Sequence, residues 1–389
     1  MFGLDKKQWD DLNGLYTANE IVQQPELWLE TIKIVEKDFD KIDIFLKEKL
    51  KKKSVRVIFT GAGTSAYIGD IITPYFNKRK FIYESIPTTD IVANPTSYFK
   101  KEVPTILVSF ARSGNSPESL ASYNLANQLI DDVNHIFITC NKDGHLADIA
   151  KNKDNILLIL MPEESNDRGF AMTSSFSCMT LTSLLIFDLE NFSKNKKEVI
   201  KMIGIGRNIL ESGYKQLEEI ISYGYERVAY LGTGSLHGIA KESALKLLEL
   251  TRGQIVSYSE SILGFRHGPK SIVNDKTLVF MYLSMDPYSR KYDMDLLKEI
   301  YRDSGDHKII AISSIRCNEV DINSHNQLYL TEEDDGITNE GFISLLYVLF
   351  AQIFALKYSI RTDVEPDNPN PNGLVNRVVK GVKIYKYQI

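Results

Sequence analysis

Val55-Arg56-Val57-Ile58-Phe59-Thr60-Gly61-Ala62-Gly63-Thr64-Ser65 opens the first half of the chain, and Arg227-Val228-Ala229-Tyr230-Leu231-Gly232-Thr233-Gly234-Ser235 repeats its plan in the second. Each is a largely apolar run of the kind found in buried parallel strands, closed by a G-x-G-[TS] turn and followed by an apolar-patterned helix. A strand–turn–helix unit that recurs near the start of each half is an internal repeat. It implies two similar doubly wound α/β domains, each a mostly parallel sheet with helices on both faces.

Working outward, Thr105 to Phe110 reads as a second strand, followed by a Ser/Gly-rich turn and a helix from about Ser116 to Ile130. Further buried-type strands are expected at Ile136–Cys140 and Ile156–Leu160, and a helix from about Ser174 to Leu189 closes this half. The polar stretch Asn191 to Lys197 reads as the linker. In the second half a helix over Leu236–Thr251, strands at Thr277–Leu283 and Lys308–Ile312, and a long helix from about Asn339 to Tyr358 are expected. Before the first strand the chain looks helical: Thr17 and Glu20 have capping-box spacing, and Trp28, Ile32, Val35, Phe39 and Ile42 follow at helical intervals. The expected organisation is a helical segment 1–50, a first domain 51–195 and a second domain 196–389 with a tail. In that tail Pro366-Asp367-Asn368-Pro369-Asn370-Pro371 suits a lid or a packing clasp, and a strand-like stretch follows.

With 389 residues, 43% of them hydrophobic and 25% charged, the chain has the composition of a two-domain globular protein. A net charge of −5 argues against a nucleic-acid surface, and the basic run Lys47 to Lys53 fits the solvated last turn of a helix. Cys140, Cys178 and Cys317 are isolated and have no metal-site or redox spacing, so buried reduced thiols are expected. There is no signal-peptide core, and no apolar run is expected to span a membrane, so the protein is expected to be cytoplasmic. The six histidines show no ligand spacing, so neither a metal nor an organic cofactor is expected.

Two clusters can carry chemistry. Open parallel sheets bind ligands at the carboxyl ends of their strands, where glycine turns and helix N-termini receive anions. Thr64 and Ser65 end the first turn; Arg112, Ser113 and Ser116 lie in the second, with Pro117 suited to a first helical position. One such turn is ordinarily just a well-capped βα connection, but two on neighbouring strands point to a phosphate. Neither fits the dinucleotide fingerprint G-x-G-x-x-G. The second cluster is Glu242, Lys246 and Glu249, at i, i+4 and i+7, with Ala244, Leu245 and Leu248 assigned to the opposite, buried side. Such a stripe is ordinarily a solvated face. Nearby, Gly264-Phe265-Arg266-His267-Gly268-Pro269-Lys270 brackets a histidine in a Gly/Pro loop. A helical carboxylate and a rigidly held histidine are what an aldose–ketose isomerase requires, one for proton transfer between C2 and C1, the other for ring opening.

Together the two G-x-G-[TS] turns, Arg112-Ser113-Gly114-Asn115-Ser116, the Glu242/Lys246/Glu249 helix and Arg266-His267-Gly268-Pro269 resemble the SIS (sugar isomerase) family. The chain is similar to the isomerase half of glucosamine-6-phosphate synthase. Over almost its full length it resembles the galactosamine-6-phosphate deaminase group, long labelled tagatose-6-phosphate ketose/aldose isomerase. Glu20 to Trp28, Ser109 to Ser119, Gly264 to Ser271 and Asn376 to Val379 carry that resemblance.

The resemblance implies phosphate-binding hydroxyls at Thr64, Ser65, Ser113 and Ser116, and a sugar contact at Thr173. It also implies a proton-transferring Glu249 with Glu242 and Lys246 beside it, and a ring-opening His267 that in the synthase reaches across from a neighbouring subunit. Active sites shared between subunits imply at least a homodimer. Ala111 and Arg112 stand where the synthase has Ser and Gln, and Arg377 is expected to replace the catalytic lysine of its tail. Arg112 is expected either to grip phosphate or to pair with a carboxylate. No glutamine-hydrolysing domain precedes this layout, so glutamine is not expected to be the nitrogen source. Three functions follow as expectations: deamination of galactosamine 6-phosphate, plain isomerisation of a hydroxy-sugar phosphate, or a silent sugar-phosphate regulator.

Overall fold

The computed structural model describes residues 1–52, 54–76, 81–334, 336–379 and 381–388; Lys53, at the end of the basic run, lies outside them. Among the described residues ten strands form two five-stranded sheets: β1 (Arg56–Thr60), β2 (Ile82–Ser85), β3 (Thr105–Ala111), β4 (Val133–Thr139) and β5 (Ile156–Leu160) in the first, and β6 (Arg227–Gly232), β7 (Val256–Ser261), β8 (Thr277–Tyr282), β9 (Lys308–Ile315) and β10 (Asn326–Thr331) in the second. Every pairing is parallel. The orders, β2-β1-β3-β4-β5 and β10-β9-β8-β6-β7, are the same topology read from opposite edges, with β6 in the role of β1 and β8 in that of β3. The strand repeat read from two sequence stretches is therefore a repeat of the whole sheet.

The chain forms two compact units that interleave. The first-sheet unit is Leu27–Asp167, Ser174–Ser193 and Gly373–Ile389; the second-sheet unit is Met1–Glu26, Arg168–Thr173 and Lys194–Asn372. The chain passes from the first-sheet unit to the second-sheet unit between Ser193 and Lys194, within the polar stretch 191–197. Most of that stretch is the start of the helix Phe192–Asn208, because Val199, Met202 and Ile203 bury one face of that helix.

Strand alternation builds the cores. In the second sheet Ala229, Leu231, Val279 and Met281 pack with Leu297 and Ile300 of the helix Pro287–Arg302. The intervening Tyr230 stacks on Phe280, which meets Phe354 of the helix Glu340–Arg361. Helices thus cover both faces. In the first sheet Ile58 and Leu107 face Ile91 and Leu125, while Phe59 packs against Tyr83, Phe110 and Phe187. The 22-residue helix Glu340–Arg361 corrects one expectation: by length and composition it is apolar enough to cross a membrane. Of its most apolar window, 89% is buried within the fold, which accounts for that composition. Cys140 and Cys178 are buried and Cys317 is only partly so; burial pushes the Cys140 thiol up to about 12.

Thr17 and Glu20 do not form a capping box, since both lie inside the helix Leu15–Val22. The capping box of this region is Asp5 with Gln8. Thr17 instead meets the clasp: Tyr16 N, Thr17 N and Thr17 Oγ1 donate to the Asp367 carboxylate at 2.9, 2.8 and 2.6 Å. Glu20 accepts from Gly169 N at 3.2 Å. Beyond the clasp the tail carries no strand among the described residues; its Tyr387 packs against the Ile91–Leu125 cluster. Asp367→Ala removes the acceptor of all three hydrogen bonds at the start of that helix and is expected to lower unfolding free energy by about 1–2 kcal/mol, measured by urea denaturation.

Candidate active site

Sheet order fixes where a ligand can sit in the first-sheet unit. The order reverses beside β1, so the turns after β1 and β3 leave side by side, with Thr60 in register with Ser109. The turn after β1 needs glycine at 61: a Cβ there would lie 2.6 Å from the backbone of Ser65, where the helix Thr64–Phe76 begins. Gly232 stands in the same relation to Leu236 in the second sheet. Thr64 and Ser65 are buried at this helix start.

In the turn after β3, Ser113 Oγ accepts from Asn115 N at 3.2 Å, and Asn115 Oδ1 accepts from His145 N at 2.9 Å. Ser116 is the N-cap of the helix Pro117–Leu129, its hydroxyl accepting from Ser119 N. Pro117 occupies the first helical position. Four further polar atoms here are buried and make no hydrogen bond among the described residues: Thr60 Oγ1, Thr88 Oγ1, Ser109 Oγ and Arg112 Nη1. They belong to the carboxyl ends of β1 and β3 and to the helix that follows β2. Buried polar groups are nearly always bonded, so unpaired ones beside a switch point make it the candidate place for a polar ligand. Thr60, Thr88 and Ser109 were not singled out as site residues, since in sequence they are ordinary strand-end and helix-start hydroxyls.

Arg112 forms no carboxylate pair among the described residues. Its Nη2 donates to the Arg377 carbonyl at 2.9 Å, and the Arg377 guanidinium in turn donates to the Asp167 carbonyl. The Asp167 carboxylate accepts from Ser174 N and Ser175 N at 3.0 Å each and from Ser175 Oγ at 2.5 Å, capping the helix Ser174–Ile186. Thr173, just before that helix, is buried. The tail arginine is therefore part of the first-sheet unit's polar cluster, linked to Arg112 through its own backbone.

The equivalent position in the second-sheet unit is already filled. The Asp293 carboxylate accepts from Thr233 Oγ1, in the turn after β6, at 3.1 Å and from Ser284 N, in the turn after β8, at 2.8 Å. Glu340 accepts from Ser284 Oγ at 2.5 Å and Met285 N at 2.8 Å. Two carboxylates of the protein's own thus use the donors that a phosphate would need. Burial pushes the Asp293 carboxyl up to about 6.

What this unit offers instead is the helix Ser235–Leu250, where Ala244 is buried as expected and Leu245 is half-buried, but the charged stripe is not a solvated face. Glu242 and Lys246 are fully buried, while Leu248, assigned to the buried side, is exposed. Lys246 Nζ donates to Glu249 Oε2 at 2.5 Å and lies 3.5 Å from Glu242 Oε1. A buried ammonium requires such partners, so the stripe is a fixed ionic core rather than a wet surface. Glu249, at its end, keeps 24% of its side chain exposed. His267 is exposed, between the short helix Ile262–Phe265 and Gly268, whose φ of +117° only glycine adopts without strain. Among the described residues no group of His, Cys, Asp and Glu is arranged to hold a metal.

Comparison with known proteins identifies the family. A family model described as SIS domain matches residues 49–187 and 223–356. A D-galactosamine-6-phosphate deaminase of Shewanella sp. (strain ANA-3) is 41% identical over 390 residues, covering 99% of this chain and 95% of that protein. The crystal structure of tagatose-6-phosphate ketose/aldose isomerase from Escherichia coli has a TM-score of 0.88 at 38% identity, covering 99% of each chain. A Clostridium novyi structure described by the same activity has a TM-score of 0.97 at 44% identity, covering 100% of this chain and 99% of its own.

The self-occupied position of the second-sheet unit has a pH signature. A carboxyl raised from an ordinary value near 3.8 to about 6 by folding gives stability that is present below the lower value and lost as pH rises through the upper one. Relative to Asp293→Asn, the unfolding free energy of the native protein is expected to fall by roughly 3 kcal/mol between pH 3.5 and 7, measured by denaturant titration across that range.

Proposed function

We propose, on the premise that the chain belongs to the SIS-domain family, that it is an amino-sugar-phosphate deaminase and isomerase converting galactosamine 6-phosphate to tagatose 6-phosphate and ammonia. The observation that carries this reading is the division of labour between the repeats: one keeps buried donors open to an anion, while the other spends its donors on Asp293 and presents a carboxylate instead. The names of the relatives supply the substrate.

Thr64, Ser65, Ser113, Ser116 and Arg112 hold the phosphate, and Arg377 and Thr173 contact the sugar. His267 opens the ring, moving a proton from O1 to O5 as the C1–O5 bond breaks. Glu249 then removes the C2 proton of the open aldehyde as the substrate's ammonium gives a proton to O1, leaving an enol at C1 and a neutral amine at C2. Returning the proton to C1 leaves a C2 iminium; water adds its oxygen to C2 and ammonia departs. Lys246 and Glu242 hold the Glu249 carboxylate in place from within the core, which is the preorganisation that general-base catalysis needs. The reaction needs no metal or organic cofactor, because proton transfer beside a carbonyl requires only a placed base. The enzyme acts in the cytoplasm as at least a homodimer.

The isomerase activity named for the Escherichia coli structure supports a second reading. In it the same shuttle acts on a hydroxy-sugar 6-phosphate and releases no ammonia.

Incubation with galactosamine 6-phosphate is expected to release one ammonia per sugar and, in deuterium oxide, to place deuterium at C1. Glu249→Gln is expected to abolish both, a loss of about 10³-fold or more. Ser65→Ala with Ser113→Ala should raise KM at least tenfold. Deuterium incorporation into a hydroxy-sugar phosphate without ammonia from the amino sugar would select the isomerase reading.

A further inference from the structure

The histidine loop is bolted to one helix. Arg266 and Lys270 flank His267 at i and i+4, and the helix Pro287–Arg302 with its C-cap presents Asp295, Glu299 and Asp303 at the same spacing. Arg266 Nη2 lies 3.0 Å from Asp295 Oδ2 and 2.7 Å from Glu299 Oε2. Lys270 Nζ lies 2.6 Å from Glu299 Oε1 and 2.7 Å from Asp303 Oδ2. Glu299 thus divides its two oxygens between the cations on either side of the histidine. Beneath the loop, Phe265 and Ile262 are buried against Leu296 and Leu297 of the same helix's core cluster. Burial works against the charges of Arg266 and Lys270, and the ion pairs outweigh it, so both pKa values are raised.

A lone, half-exposed ion pair contributes little to stability. Four pairs that fix one five-residue span from both ends do something else: they remove the freedom of the residues between. His267 itself has no side-chain hydrogen bond among the described residues that would orient it, and Gly268 follows it with a backbone no other residue favours. What fixes the imidazole's origin is the clamp.

We infer that Glu299, through Arg266 and Lys270, is the positioning residue for His267, and that the clamp serves ring opening alone. This rests on the ring-opening role proposed for His267 above. Ring opening needs a proton taken from O1 and one given to O5, two oxygens on one carbon, so the imidazole must be held within hydrogen-bond reach of both. Proton transfer between C2 and C1 needs only Glu249. Disturbing the clamp should therefore slow the cyclic substrate and leave an open-chain one untouched.

The experiment compares galactosamine 6-phosphate with its 4,5-dideoxy analogue, which lacks the hydroxyls that close a ring. Glu299→Gln, and independently Arg266→Gln with Lys270→Gln, are expected to lower kcat on the cyclic substrate about tenfold with KM within twofold. On the acyclic analogue they should retain the native rate within twofold. His267→Asn should show the same pattern, larger, at about 10²-fold or more, and Glu249→Gln should fail on both substrates. An equal loss on both substrates for the clamp variants, or no loss on either, overturns the positioning role. If His267→Asn itself leaves the cyclic substrate unaffected, it is the ring-opening assignment that fails, and the clamp's role in it with it.

Discussion

Burial of polar groups at the carboxyl end of a parallel sheet is the constraint on which this protein turns. A doubly wound sheet reverses its strand order beside its first strand, so two βα turns emerge together, each with helix-start donors and hydroxyls. Those groups cannot be left unmet in a packed interior. The two halves of the chain meet the same demand differently. Around Thr60, Ser109 and Arg112 the donors remain for an outside partner, whereas around Thr233 and Ser284 the protein supplies its own carboxylates, Asp293 and Glu340. One fold, used twice, differs between its halves by where two acidic side chains fall.

The same rule explains the buried ionic helix. Lys246 is fully inside and would be untenable alone, so Glu242 and Glu249 are held to it. That packing leaves Glu249 with one side fixed and one side reachable. Carboxylates distant in sequence also serve helix starts: Asp367 on Leu15–Val22, and Glu198, which accepts from Thr338 N and Asn339 N, ahead of Glu340–Arg361; Asp167, seven residues upstream, caps Ser174–Ile186. Acidic groups here do the work of local capping boxes, and they tie the interleaved segments of each unit together.

Much of this was legible in the residues themselves. Strands buried on both faces must be apolar throughout, so β1, β3, β4, β6, β8 and β9 stand out as runs. Of the edge strands, β5 also reads as a run, Ile156 to Leu160, while β2, β7 and β10, half exposed and with polar residues such as Glu84, Glu260 and Gln327, carry no run to find. The two turns were visible because glycine is forced where a strand end touches a helix start, and motif resemblance then named Glu249 and His267. The capping box assigned to Thr17 and Glu20 failed because the true acceptor, Asp367, lies 350 residues from Thr17.

The sequence by itself determined the repeat, the parallel sheets, the candidate anion turns and the family, because each of these depends on local periodicity and on residue types that only certain backbones accept. Tertiary structure alone decided which charged residues are inside. A Glu-Lys-Glu stripe reads identically on a wet face and in a core, and the difference lies in what packs across from it. The filling of one anion position by Asp293, the link from Arg112 to Arg377, and the grip of Glu299 on the histidine loop are likewise contacts between distant segments. No spacing rule encodes them.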